Sequence, residues 1–243
     1  MMQIRDLDPS EPTDALRPLE MTPSLSDRVY GALKRHILSQ RLKAGSKLSV
    51  PQLARQLGVS RTPVKEALER LSKDGLVTTL PNRGAFVAIL RQQDVNEIYQ
   101  MREILEGLAA RLAAVTMDDA LLDRLRDLMG RHEAAVDRGD LDAHVAIDLE
   151  FHRLIRERAG NRRLMDALDT LQDQIRIVFR TSATIPGRMQ KAVEEHRAIL
   201  EAFERRDPDA AEAAARRHIL RIREAVLAYL GSAELPAPTP VGP

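Results

Sequence analysis

The chain has no cysteine and no tryptophan, and aromatic residues make up only 3% of its 243 residues. The absence of cysteine excludes disulfide bonds, thiolate zinc ribbons and thiol catalysis, and it fits a reducing compartment. With so few aromatic residues, the core must be built from leucine, alanine, isoleucine and valine. We expect such a core to be largely helical.

Long apolar runs are also absent. No stretch approaches the roughly 20 apolar residues that a membrane-spanning helix needs. The N-terminal sequence MMQIRDLDPSEPTD is polar and acidic, unlike a signal peptide. We therefore expect a soluble, cytoplasmic protein. At 44% hydrophobic and 30% charged residues, a chain of this length can bury the cores of two domains.

Charge is nearly balanced over the whole chain, at a formal net charge of +1, but it is unevenly distributed. Residues 24–90 carry 12 lysines and arginines against 4 acidic residues, whereas residues 91–231 carry 23 against 26. A basic module joined to a nearly neutral one indicates nucleic acid as the partner of the N-terminal module. We predict a disordered arm at 1–23, these two domains, and a flexible tail at 232–243.

The basic module has the pattern of a winged helix-turn-helix. Apolar residues at helical spacing predict three helices, at about 25–40, 49–58 and 60–75. Ser49 and Gln52 match a capping box at the start of the second helix. Two β-prone runs, 76–79 and 85–89, flank a Pro-Asn-Arg-Gly turn, which predicts the wing.

The second helix of such a motif enters the major groove with its N-terminal residues on the DNA. Arg61 and Lys65 lie four residues apart on the face opposite the apolar one, and Arg61 can pair with guanine in bidentate fashion. The candidate DNA contacts are Ser60, Arg61, Thr62, Lys65, Asn82, Arg83, Gly84 and Arg55. Lys34, Arg35 and Lys47 are expected to attract DNA without specifying its sequence. Any one of these charges alone would pass for a solvated residue, but their combination indicates DNA binding.

From residue 94 onward every segment has helical periodicity. The six predicted helices are at about 94–115, 118–138, 140–159, 161–182, 187–206 and 208–230. Because their connections are short, neighbouring helices should be antiparallel. The expected fold is mainly α, with a winged helix-turn-helix domain followed by an antiparallel bundle of six or seven helices.

Polar residues interrupt the apolar stripes of three helices in this bundle. Asp148 and His152 lie one turn apart, and His196 and His218 each fall on the apolar face of a later helix. A lone core histidine is usually satisfied by a protein acceptor, but a carboxylate with three imidazoles suits a divalent metal. Zinc is expected first, with nickel, manganese or iron as alternatives. The other histidines are expected at the surface: His36, His132 and His144.

The sequence GVSRTPVKEALERLSKDGLV, followed by NRGAFV, resembles the DNA-binding domain of the GntR family of bacterial transcription regulators. The segments DLEFH, EEH and RRH, at 148–152, 194–196 and 216–218, resemble the metal-binding pattern of the FCD domain, the effector module of the FadR subfamily. Six helices rather than seven resemble the VanR-type branch. Two residues depart from the pattern: Lys65 and Pro51 stand where many or some members have arginine.

The resemblance implies a homodimer on a palindromic operator, controlled by a small organic acid whose carboxylate completes the coordination of the metal. Arg102 matches an arginine that often faces the effector cavity, and Arg176 and Arg180 are further candidates. We expect a repressor and not an enzyme. Two alternatives stay open: a metal-dependent enzyme that uses the Asp/His₃ site, and a bundle that serves only as a metal-stapled dimerisation module. The enzyme lacks a nucleophile or acid/base motif beside the ligands.

Overall fold

The computed structural model describes residues 23–178 and 182–232. The predicted arm up to residue 22, the tail beyond residue 232 and the effector candidate Arg180 lie outside the described residues. None of the described helices is long and apolar enough to cross a membrane.

The described residues form nine α-helices and three short strands, which confirms the mainly α fold. In chain order they are α1 (Leu25–Leu38), β1 (Lys47–Leu48), α2 (Val50–Leu57), α3 (Arg61–Lys73), β2 (Val77–Leu80), β3 (Gly84–Val87), α4 (Gln92–Thr116), α5 (Asp119–Asp137), α6 (Leu141–Arg158), α7 (Arg162–Val178), α8 (Arg188–Glu204) and α9 (Pro208–Ser232). A 3₁₀ turn at Ser182–Thr184 precedes α8.

The first part of the chain is the predicted winged helix-turn-helix. Val64, Ala67 and Leu71 on α3 are fully buried against α1 and the sheet. The wing is antiparallel, with strand order β1-β3-β2 and Thr78 opposite Phe86. The sequence pattern did not predict β1, because two residues are too few to show a period.

The helices of this domain begin and end near the predicted residues, but not every predicted capping hydrogen bond is present. Gly58 ends α2 in the left-handed conformation at a φ of 66°, as a C-terminal glycine should. The capping box predicted at Ser49 is wrong: Ser49 precedes α2, but its side chain makes no capping hydrogen bond. Pro51 has no amide hydrogen, so one of the donors that Ser49 could accept from is missing. A complete capping box forms instead at the start of α1, between Ser24 and Asp27.

The six helices predicted after residue 94 are present as α4 to α9. Helix α9 packs along the length of α4, while α5, α6 and α8 enclose the main core. Phe151 and Phe203 are the largest fully buried side chains of that core. The helix predicted at 161–182 is described only to Val178, and residues 182–184 form the 3₁₀ turn instead.

Helix α7 contacts both halves of the chain. Ile177 is buried in the core of the winged helix, and the Gln174 amide donates to the backbone oxygen of Asp74 at 2.9 Å. Lys34 on α1 forms an ion pair with Asp173 at 2.6 Å. The charge of Lys34, which was expected to attract DNA, is therefore paired with a carboxylate of the helical domain.

Candidate functional site

Three histidines from three helices meet in the core of the helical domain. The Nε2 atom of His152 on α6 lies 3.2 Å from the Nε2 atoms of both His196 on α8 and His218 on α9. Their relative exposures are 9%, 0% and 1%. A ligand atom from each lies within 4.8 Å of the other two, so this triad can hold a metal ion.

The fourth predicted ligand, Asp148, lies beside the triad. Its Oδ1 atom is 3.6 Å from the Nε2 atom of His196, and its side chain is 33% exposed because it borders a cavity. Helical spacing on α6 explains the placement, since Asp148 and His152 are one turn apart on one face. Phe151 also fixes the site, because its ring stacks on that of His196 with 4.4 Å between centroids.

Two buried carboxylates stand behind the histidines, and the sequence pattern identified neither. Glu195 accepts a hydrogen bond from Nδ1 of His218 at 2.7 Å and pairs with the guanidinium of Arg188. Glu106 lies 4.0 Å from Nδ1 of His152 and pairs with Arg102 and Arg156. Both glutamates fall on the buried faces of their helices, and this position in the helical pattern could have identified them.

The expectation that His132 and His144 lie at the surface is wrong. Both are buried, at 0% and 2% exposure, and Nε2 of His132 is 2.8 Å from Nδ1 of His144. The ring of His132 also lies 5.3 Å from that of His196. His132 follows the buried Leu128 and Met129 at helical spacing, and His144 precedes the buried Ile147 in the same way. Helical periodicity therefore indicated that both histidines are buried. His36 is exposed, as expected.

A cavity of about 370 Å³ opens beside the triad. Its wall includes Tyr99, Arg102, His152, Arg176, Arg188 and His218. Arg102 and Arg188 are buried, at 5% and 3% exposure, and the Nε atom of each has no hydrogen-bond partner. The predicted Arg102 and Arg176 thus lie at the cavity, together with Arg188. Arg188 was not predicted, because it is the first residue of α8 and follows directly on the Pro-Gly interruption of the helical pattern.

The electrostatics favour the neutral form of His132, His152 and His196 and the charged form of the two glutamates. Burial lowers the pKa of His152 to about 4, and burial together with His144 lowers the pKa of His132 to about 4. Burial also holds the pKa of His196 well below its ordinary value. Burial alone would raise the pKa of Glu106, but the charges of Arg156, His152 and Arg102 outweigh it and lower that pKa. Neutral imidazole is the form that binds a metal.

The predicted DNA contacts are all exposed. Ser60, Arg61, Thr62 and Lys65 are exposed at the start of α3, and Arg55 is exposed on α2. At the wing tip, Asn82 and Gly84 have φ angles of 60° and 94°. A φ of 94° favours glycine, although a Cβ there would meet no other atom. The turn therefore needs Gly84 for its backbone conformation.

A basic winged helix-turn-helix joined to a domain of six helices is the architecture of a class of bacterial transcription regulators. Residues 25–87 match the family described as bacterial regulatory proteins, gntR family, and residues 97–221 match the FCD domain. The chain belongs to the GntR family and fits its FadR-type subfamily. Members of this family regulate transcription and are not enzymes.

Named relatives agree with this assignment. The chain is 32% identical over 184 residues to the uncharacterized HTH-type transcriptional regulator YdhC of Bacillus subtilis, covering 75% of this chain and 82% of that protein. It is 28% identical over 211 residues to the HTH-type transcriptional repressor RspR of Escherichia coli, covering 86% and 91%. The structure of E. coli McbR/YncC is similar with a TM-score of 0.66 and 26% identity, covering 86% and 97%.

Lowering the pH should destabilise the metal-free protein between about 6.5 and 4. Unfolded histidines titrate near 6.5, whereas His152 and His132 stay neutral in the fold down to about 4. The unfolded state therefore binds more protons in this window, and acid favours unfolding. For His152 alone the difference corresponds to roughly 3 kcal/mol. Urea unfolding at a series of pH values measures the effect.

The matched control is His36→Gln, which removes an exposed histidine and should leave the pH dependence unchanged. The glutamates begin to add to the loss of stability only within about one pH unit of their ordinary pKa of about 4.3, so the change between about pH 6.5 and 5.3 separates the histidines from them. An unfolding free energy that stays level from about pH 6.5 to 4 would show that these histidines are not buried in neutral form.

Proposed function

We propose that this protein is a dimeric transcription repressor whose operator binding is controlled by a small carboxylate held at a metal site in the helical domain. The observation that carries the proposal is the buried histidine triad on the wall of a cavity that is also lined by arginines. A DNA-binding domain at 24–90 and an effector domain at 91–231 are the division we propose, supported by the family matches at 25–87 and 97–221.

The residues present fit a divalent metal. His152, His196 and His218 would hold it through their Nε2 atoms, with Asp148 as a fourth ligand from the cavity side. Three nitrogens and one carboxylate oxygen suit zinc, and nickel, manganese or iron are alternatives. When bound, the metal supplies positive charge at the cavity wall, where a ligand carboxylate can coordinate it. This role requires binding and not turnover.

The cavity suits a small anion. Its volume of about 370 Å³ is at the lower end for small-molecule sites. The unpartnered Nε atoms of Arg102 and Arg188 are buried donors that need an acceptor, and a carboxylate is the acceptor arginine pairs with best. Arg176 lines the same cavity and offers a further cation.

The DNA-binding proposal rests on the exposed start of α3. Arg61 and Lys65 have no hydrogen bond or ion pair within the part of the chain that the structure describes, so both side chains are available to DNA. We propose Arg61 as the base-reading residue, with Ser60, Thr62 and Lys65 on phosphates or bases. Asn82, Arg83 and Gly84 at the wing and Arg55 on α2 complete the contacts.

Two copies of the chain are expected on the operator, because paired half-sites are read by two-fold symmetric proteins. An apolar stripe on the long helix α4 supports self-association. Met101, Ile104, Leu108 and Val115 recur at helical spacing on one face and are between 37% and 70% exposed. A stripe of this kind marks a protein contact surface more often than a solvated face.

Helix α7 is the proposed connection between the two sites. Arg156 pairs with Glu106, which stands behind His152, and also reaches Asp169 on α7 at 3.4 Å. One turn further along α7, Asp173 pairs with Lys34 of α1. A change in the site that moves Arg156 would therefore move α7 and shift the DNA-binding domain against the helical one.

Replacing His196 and His218 together by alanine should abolish metal binding, because two of the three converging ligands are lost. Zinc measured by elemental analysis after loading and desalting should fall from about one per wild-type chain to background. In a screen of mono- and dicarboxylic acids, an acid that raises the melting temperature of the zinc-loaded wild type should have no effect on the double variant.

His36→Ala is the control for loss of an exposed histidine. If the double variant still binds about one zinc per chain, His196 and His218 are not the metal ligands. Zinc bound tightly to the wild type, with a melting temperature unchanged by every acid, would instead favour a metal-stapled dimerisation module.

Arg61→Ala should weaken binding to the promoter region of the protein's own gene. The loss of a bidentate guanine contact costs about 1–3 kcal/mol, so we expect a decrease in affinity of roughly 5- to 150-fold at physiological salt. Fluorescence anisotropy with labelled DNA measures it. Arg131→Ala, which removes an exposed arginine of α5, is the matched control. Equal affinity of the two variants would exclude Arg61 as a reading residue.

Zinc should slow amide hydrogen exchange in α7 and also in α1, if α7 connects the two sites. In the double variant Asp173→Asn with Gln174→Ala, the slowing should persist in α6 and α8 but disappear from α1, because both polar contacts to the DNA-binding domain are removed. Asp166→Asn, an exposed substitution on the same helix, is the control. Identical protection of α1 in all three proteins would rule out α7 as the connection.

A further inference from the structure

The three histidines of the triad differ in what lies behind their second ring nitrogen. Nδ1 of His218 is 2.7 Å from Oε2 of Glu195. Nδ1 of His152 lies 4.0 Å from Glu106, beyond hydrogen-bond distance, and Nδ1 of His196 is buried without a partner. His218 is thus the one ligand of the three whose ring is held by a carboxylate.

Glu195 is itself held in place by Arg188. The two side chains are each 3% exposed, and both Nη atoms of the guanidinium contact the carboxylate, Nη1 at 3.1 Å to Oε1. Both carboxylate oxygens of Glu195 accept hydrogen bonds from the guanidinium of Arg188, which can only donate. The same carboxylate faces Nδ1 of His218 as an acceptor, so Nδ1 is placed to carry the proton and donate it to Oε2.

We infer that Glu195 is a positioning residue, which holds His218 with its proton on Nδ1 and its free Nε2 lone pair aimed at the metal site. The inference rests on the metal site proposed above. A carboxylate on the far nitrogen also raises the basicity of a histidine ligand and fixes the orientation of its ring. Glu195 would make His218 the best prepared ligand, ahead of His152 and His196.

Arg188 extends this arrangement to the cavity. Its Nη atoms are occupied by Glu195, whereas its Nε atom is buried, has no partner and belongs to a side chain that lines the cavity. One guanidinium can therefore join two carboxylates, Glu195 through its Nη atoms and a ligand through Nε. An anion bound there would order Arg188, and with it Glu195 and His218.

Glu195→Gln tests the inference with zinc alone as the probe. The glutamine has the same shape but no charge, and its amide can also donate to Nδ1, which would put the proton on the wrong nitrogen. We expect zinc affinity, measured by competition with a chromophoric chelator, to fall 10- to 100-fold, as is usual for loss of such a partner. Arg188→Gln should lower it in the same direction, because Glu195 loses its bidentate contact.

Glu194→Gln is the matched control, since Glu194 is the adjacent residue on α8 but is exposed. If wild type and Glu194→Gln bind zinc and Glu195→Gln binds it within about twofold of them, the inference is wrong while the metal site stands. If the wild type binds no zinc at all, the proposed function itself fails.

A second measurement does not depend on any variant folding. Nitrogen-15 chemical shifts of the His218 ring in the metal-free wild type, at a pH above the ordinary histidine pKa of about 6.5, report which nitrogen carries the proton. We expect protonated Nδ1 and bare Nε2. A proton on Nε2, alone or together with one on Nδ1, would overturn the assignment.

Discussion

The close approach of three imidazole nitrogens in the helical core is the constraint on which the rest of the site depends. Burial favours the uncharged form of His152 and His196, and nitrogen lone pairs that face one another at 3.2 Å repel unless a proton or a cation lies between them. The three helices are far apart in the sequence, and the rings meet only if these helices keep fixed positions along and around one another. The relative position of α6, α8 and α9 is therefore tied to what occupies the centre of the triad.

This dependence would give the proposed site a way to act at a distance. Two of the three histidines lie beside a charged network: Glu195 and Arg188 stand behind His218, and Glu106 and Arg156 lie near His152. Arg156 reaches α7, and α7 contacts the winged helix through Asp173, Gln174 and Ile177. A small shift at the triad has a continuous chain of packed and paired groups along which to move the DNA-reading surface.

Much of the fold could be predicted from the sequence, because helical periodicity is a local signal. Six helices of the second domain and the start of α3 followed from apolar spacing, and polar residues inside those stripes identified His152, His196 and His218. Arg102 and Glu106 are four residues apart on α4, and Arg188 and Glu195 are seven apart on α8, so helical spacing was compatible with these two pairs. The contacts of Glu106 with Arg156 and of Glu195 with His218 could not be predicted, because they join different helices. His132 and His144 were misjudged because they were weighed as isolated residues, although their spacing to Leu128, Met129 and Ile147 matched a buried face.

Anomalous X-ray scattering at the metal absorption edge, from crystals of the protein grown with zinc and without chelator, tests the central claim most directly. We expect one strong peak per chain at about 2.0–2.1 Å from the Nε2 atoms of His152, His196 and His218. The side chain of Asp148 should turn from the cavity wall toward the same peak. A peak elsewhere, or none at the triad in crystals that contain zinc, would contradict it.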